Sequence, residues 1–172
     1  NFIIVLFQFF KSFRIYHIIY YFLRFKFILK PKWYKVLNSF RLNMTCMQYI
    51  AFDFETSGLP KGRKPIAPDT VGQYDTCRAV SLSAARFSSR GRLMDTFDAI
   101  IQPNDFTISQ DSIDIHGITQ ERMVMEGEPM DKVLDNFMRD VSSCTYLVAH
   151  NIEFDKTMIE VECFRHKFCK KL

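Results

Sequence analysis

Nine residues, Ile50-Ala51-Phe52-Asp53-Phe54-Glu55-Thr56-Ser57-Gly58, limit the possible folds of this chain more than any other stretch. Ile50, Phe52 and Phe54 alternate with Ala51, Asp53 and Glu55, the period of a β-strand. Asp53 and Glu55 therefore share one face, their Cα atoms roughly 6.5–7 Å apart. Two carboxylates so close repel each other and are costly to desolvate alone. A divalent cation relieves both problems, and hard oxygen ligands suit Mg²⁺ or Mn²⁺. An edge strand whose acids face water fits the same residues. Thr56-Ser57-Gly58 ends the strand with turn chemistry.

The chain of 172 residues carries a net charge of +4, but the charge is divided. Residues 1–43 hold eight Lys/Arg and no Asp or Glu; residues 44–172 hold fifteen basic and nineteen acidic residues, a net −4. The first segment is also dominated by Phe, Ile, Tyr, Lys and Asn and has no Gly or Ala. Its apolar runs, 2–10 and 15–23, are separated by Lys11 and Arg14, and each falls short of the roughly 20 residues a spanning helix needs. A basic, aromatic strip on a membrane surface or on nucleic acid is a second interpretation. The one preferred rests on codons: the favoured residues are those with A/T-rich codons, so 1–43 resembles translated upstream sequence. Met44 or Met47 is then the expected start, giving an extension (1–43) that adds nothing to function and a domain (44–172). Five scattered cysteines and no legible signal peptide point to free thiols in a reducing, intracellular compartment. Cys163, His166 and Cys169 have zinc-like spacing but no fourth ligand.

A Pro-, Gly- and Lys-rich loop is expected through about Thr76. Residues 78–87 and 93–101 predict an antiparallel hairpin joined by Ser88-Ser89-Arg90-Gly91. A polar stretch leads to His116-Gly117-Ile118-Thr119, with Thr119 as a helix cap. His116 is either a pocket residue or a loop histidine without a role. Met130, Val133, Leu134, Phe137, Met138 and Val141 repeat with helical spacing after Pro129. Thr145–Ala149 reads as a short apolar strand, followed by His150-Asn151-Ile152-Glu153-Phe154-Asp155 and a further helix. Phe154, Met158, Val161 and Phe168 mark its expected buried stripe, interrupted by Arg165. Asp155 falls in its first turn at a strand end, a position suited to a ligand site and equally to the helix dipole.

DFETSG at 53–58, HGIT at 116–119 and HNIEFD at 150–155, in this order, resemble the DEDD-type 3′→5′ exonucleases, most of all the DnaQ-like branch of the DNA polymerase III epsilon subunit. The resemblance covers roughly 48–164. It implies an α/β, ribonuclease H-like mixed sheet with flanking helices and the first strand central. By the same resemblance Asp53, Glu55 and Asp155 are catalytic carboxylates binding two Mg²⁺ or Mn²⁺ ions. Thr56, His116 and Asn151 match positions beside the terminal nucleotide. The implied activity is hydrolysis at the 3′ ends of DNA or RNA, with a DNA polymerase as a further partner and no membrane role. These enzymes also use a fourth carboxylate preceded by His or Tyr. After Asp155 this chain has Glu160, Glu162 and His166 but no H-x-x-x-x-D or Y-x-x-x-D, so the domain is expected to be incomplete at its C-terminus. A catalytically inactive nucleic-acid-binding or polymerase-associated module of the same fold is the alternative.

Overall fold

A computed structural model describes residues 48–62 and 64–168. The expectations for residues 1–43, the start at Met44 or Met47, and Cys169 lie outside the described residues. The order of elements is β1 (Gln48–Thr56), β2 (Ala79–Ser88), β3 (Leu93–Ile100), α1 (Gln110–His116), α2 (Gln120–Glu126), α3 (Met130–Ser142), β4 (Tyr146–Val148) and α4 (Ile152–Arg165). A 3₁₀ turn, Val71–Tyr74, punctuates the β1–β2 connection.

The strands form one mixed sheet in the order β3-β2-β1-β4. β1 pairs antiparallel with β2 and parallel with β4, so it is central, as its near-continuous burial requires. β2 and β3 form the expected hairpin. Its turn is closed by Ser88 and Gly91, whose N–H groups donate to the Arg92 and Ser88 carbonyls.

Alternation along β1 divides the core. Ile50, Phe52 and Phe54 join Leu82 and Ala84 of β2 against Met130, Val133, Leu134, Phe137 and Met138 of α3 and Met158 and Ile159 of α4. The Phe52 and Phe137 rings meet at 5.2 Å between centroids, tilted by 50°. Ala51, with Ala85 and Phe87, belongs to a second, smaller cluster. The β1–β2 register shifts between Glu55 and Thr56: Glu55 pairs with Ser81 but Thr56 with Ala79, leaving Val80 as the extra residue. Ala79 stays in the main core, whereas Val80 joins Ile118 and Met123 in a third cluster. That cluster seats α2, which Thr119 caps by accepting the Arg122 N–H.

One helix was not expected. The polar stretch before His116 contains α1, capped by the Ser109 hydroxyl on the Ser112 N–H and closed by Gly117 at φ 70°. Seven residues are too short to display a convincing periodicity, so only its caps mark it in the sequence. The buried face of α4 also differs from the expected stripe. Met158 and Val161 are buried as expected, but their companions are Ile159 and two acids, Asp155 and Glu162; Phe154 is only half-buried. Among the described residues no helix is long and apolar enough to cross a membrane.

Phe137 is fully enclosed. Phe137→Ala is expected to cost about 3–5 kcal/mol through lost transfer and an unfilled cavity, measured as a lowered urea midpoint with unchanged slope.

Candidate active site

The site is built where β1 ends. Asp53 and Glu55 are part-exposed and project from β1 on the side opposite the Phe52–Phe54 core residues. β4 ends at Val148, opposite Ala51 of β1. Three residues further along β1, the Phe54 N–H donates to Asp155 Oδ1 at 3.1 Å. The path from β4 to α4 thus returns a third carboxylate to the strand that bears the first two. Phe154 and Asp155 give their own N–H groups to the Asn151 carbonyl, which starts the helix.

Asp155 is 2% exposed. Burial pushes its pKa from 3.8 to about 6, against the pull of backbone N–H groups from Phe54 and Asn151, and the Glu55 charge raises it further. A carboxylate penalised for its charge, next to others of the same sign, gains from a cation. The chemistry of the donor set therefore fits a hard divalent ion. The placement is less complete. Among the described residues no group of three His, Cys, Asp or Glu side chains could hold a metal ion as it stands.

The turn after β1 is held from several directions. Thr56 Oγ1 donates to the Gly58 carbonyl at 3.0 Å. Ser57 N–H donates to the Arg78 carbonyl, and Arg78 N–H returns a bond to Ser57 Oγ. Gly58 lies so close to the Thr76 carbonyl that a Cβ would stand 2.8 Å from its oxygen. Ser112 Oγ of α1 donates to the Ser57 carbonyl at 2.8 Å. That bond docks the start of α1 against the motif turn; His116 ends the same helix one turn further on. His116 Nδ1 accepts the Ile118 N–H at 3.1 Å, so the neutral ring carries its proton on Nε2.

Of the residues singled out from the sequence, Asp53, Glu55, Thr56 and Asp155 are gathered at the end of β1, and His116 ends the helix that Ser112 fastens to the turn. Asn151 is exposed, and its side chain makes no capping bond to α4. Sequence reasoning missed the supporting residues Ser57, Ser112 and Cys77. Cys77 is fully buried beneath Thr56, its sulfur 3.5 Å from that of Met158, and burial raises its pKa to about 11. It is an inert core thiol. It also missed Glu162, whose one signal is its distance of seven residues from Asp155 on the same helix face. His166 sits at the far end of α4, 3.6 Å from Glu162, away from the carboxylate site.

The exonuclease (RNase T) family matches residues 50–171. This chain belongs to that family. It is similar to the DNA polymerase III PolC-type of Streptococcus mutans, 29% identical over 137 residues, and to that of Streptococcus sanguinis, 29% identical over 131. These matches take in 78% and 76% of this chain but 8% of each polymerase, so the chain spans under a tenth of those relatives' length. Among solved structures it resembles exonuclease I from Methylocaldum szegediense, with a TM-score of 0.58 and 17% identity over 72% of this chain and 24% of that one. E. coli exonuclease I in complex with an oligonucleotide matches with a TM-score of 0.55 and 17% identity, over 69% and 24% of the two chains. At such identities the likeness establishes the fold: a mixed α/β sheet with flanking helices, as in exonuclease I.

The raised Asp155 pKa has a signed consequence. Because the folded value lies above the unfolded one, ionisation costs stability progressively as pH rises from about 4 to about 6, and the cost persists above that. Asp155→Asn, which keeps an acceptor for Phe54, should therefore stabilise the metal-free chain at neutral pH by up to about 3 kcal/mol. The gain should vanish near pH 4. Unfolding midpoints at several pH values in the presence of a chelator provide the measurement.

Proposed function

We propose that this chain is the metal-dependent hydrolytic core of a 3′→5′ exonuclease acting on nucleic-acid 3′ ends. The observation that carries the reading is the Phe54–Asp155 hydrogen bond, which returns the third carboxylate to the strand bearing Asp53 and Glu55. Family membership supplies the reaction class; the activity of this chain is the proposed part.

Asp53, Glu55 and Asp155 would hold two divalent ions, Mg²⁺ or Mn²⁺. Bound there, such ions lower the pKa of an attacking water and offset charge on the phosphate and the leaving 3′ oxygen. The chain's own groups prepare the site. Asp53 and Glu55 stand on a strand paired with β2 along its length and with β4 up to Ala51, so their positions cost little to maintain. Asp155 is held in line by backbone donors, and its burial leaves it poorly compensated until positive charge arrives. The Ser112–Ser57 bond keeps the start of α1 beside the turn, and by the family resemblance His116, which ends that helix, would border the terminal nucleotide. Thr56 and Asn151 would border the terminal nucleotide. Thr56 is the better ordered of the two, being tied into the Gly58 turn. A local charge balance that is acidic without metal and phosphate-binding with it explains how a net −4 domain binds a polyanion.

The PolC-type relatives and the oligonucleotide complex of exonuclease I support a DNA substrate and a polymerase context for the protein. A second reading is favoured by one observation, the lack of a closed three-ligand group among the described residues. On that reading the domain binds nucleic-acid ends without hydrolysing them.

Asp53→Ala separates the two. Under the first, Mg²⁺- or Mn²⁺-dependent shortening of a 3′-labelled oligonucleotide falls at least about a thousandfold, near 4 kcal/mol of barrier. Under the second, the unaltered chain retains the oligonucleotide in a gel-shift assay and produces no shortened products at any metal concentration.

A further inference from the structure

Glu162 and Arg165 form a buried ionic network that the proposed chemistry does not use. Glu162 is 2% exposed. Its Oε1 accepts from Arg165 Nη1 at 2.6 Å and from the Ala79 N–H at 3.4 Å, and its Oε2 lies 3.6 Å from His166 Nε2. The Arg165 guanidinium spans further, with Nη2 donating to the Tyr74 carbonyl at 2.6 Å and Nη1 to the Cys77 carbonyl at 3.5 Å. Asp75 stands 3.8 Å from Nη2.

The register gives this network its meaning. Ala79 is the residue that pairs with Thr56 across the irregularity following Glu55. Glu162 therefore grips β2 directly opposite the point where the motif strand changes register. Seven residues earlier, two turns and roughly 10 Å along α4, Asp155 grips β1 through the Phe54 N–H. Two buried carboxylates on one helix face thus fasten α4 to two adjacent strands, with Met158 and Ile159 packed between them. Met158 accepts from the Cys77 thiol at 3.5 Å, which ties the helix to the segment leading into β2. An isolated buried charge pair is a poor way to gain stability, because desolvation offsets most of the attraction. Its retention here is better explained by geometry.

We propose that Glu162, neutralised by Arg165, is a positioning residue that fixes the β-bulge after Glu55 and, through the shared helix, the setting of Asp155 against β1. The inference rests on the exonuclease reading for its functional consequence but not for its structural one.

The test replaces the pair in the full chain by apolar residues of similar size, Glu162→Leu with Arg165→Met, and separately makes Arg165→Lys, which keeps the charge and loses the fork. Three quantities are measured: the urea midpoint, amide hydrogen exchange at Phe54 and Ser57, and Mn²⁺ affinity by calorimetry with Asp53→Ala as control. The paired variant should fold with a midpoint close to wild type, the unpaired Ala79 N–H offsetting the relief of charge desolvation. Its Phe54 and Ser57 amides should nevertheless exchange at least about tenfold faster, and its Mn²⁺ affinity should fall about 10- to 100-fold, the range for residues that orient metal ligands. Arg165→Lys should move both readouts in the same direction by less. Wild-type exchange and wild-type Mn²⁺ affinity in a folded paired variant would overturn the proposal and leave the network a purely structural tie. Should Asp53→Ala leave Mn²⁺ binding unchanged, the metal reading fails, and exchange alone decides: faster supports the positioning role, unchanged refutes it. If the paired variant does not fold, Arg165→Lys is judged by the same two outcomes.

Discussion

The hydrogen bond from the Phe54 N–H to Asp155 is the contact on which the site depends. It joins residues 101 positions apart and brings the only fully buried carboxylate of the HNIEFD motif onto the motif strand. Everything between serves that meeting. The β2–β3 hairpin closes one side of β1, α3 covers its apolar face, and β4 runs parallel beside β1 for three paired residues before the chain turns into α4. The short β4 is a consequence of this geometry: a longer strand would occupy the side of β1 that Asp155 approaches.

The same contact concentrates electrostatic cost. Asp155 is buried, faces the Glu55 charge, and has its pKa raised to about 6. A fold selected for stability alone would place an amide or an apolar residue there. Retaining the acid fits a site that awaits positive charge, and cations are what hard carboxylate oxygens attract. Glu162 shows the other solution to the same problem. It is as deeply buried as Asp155 but carries its counter-charge within the chain, in Arg165. One helix thus holds two buried acids, one paired with Arg165 and one held by the Phe54 backbone N–H.

The motif strand, the hairpin, α3, β4 and the start of α4 were legible in the residues because each is long enough, or alternates clearly enough, to show its period. Helix α1 was not, since seven residues display no period and only Ser109 and Gly117 mark its ends. The apolar stripe of α4 was misjudged for a physical reason: acids occupy two of its buried positions, and a pattern search assigns acids to the surface. Arg165, which looked like a break in that stripe, is the partner of one of them.

The sequence by itself determined the family: carboxylates two residues apart on a strand, a third at a helix start, and a motif order that places the chain among the exonuclease family. Those features are local or lie in linear order, so they can be read without coordinates. Tertiary structure alone decided what those groups face. It buried Asp155 against Phe54, tied α1 to the turn through Ser112 and Ser57, and set Glu162 opposite the register shift beside Glu55. Burial and backbone partners across 55 to 101 residues have no period in the sequence, because they arise only when separate elements meet.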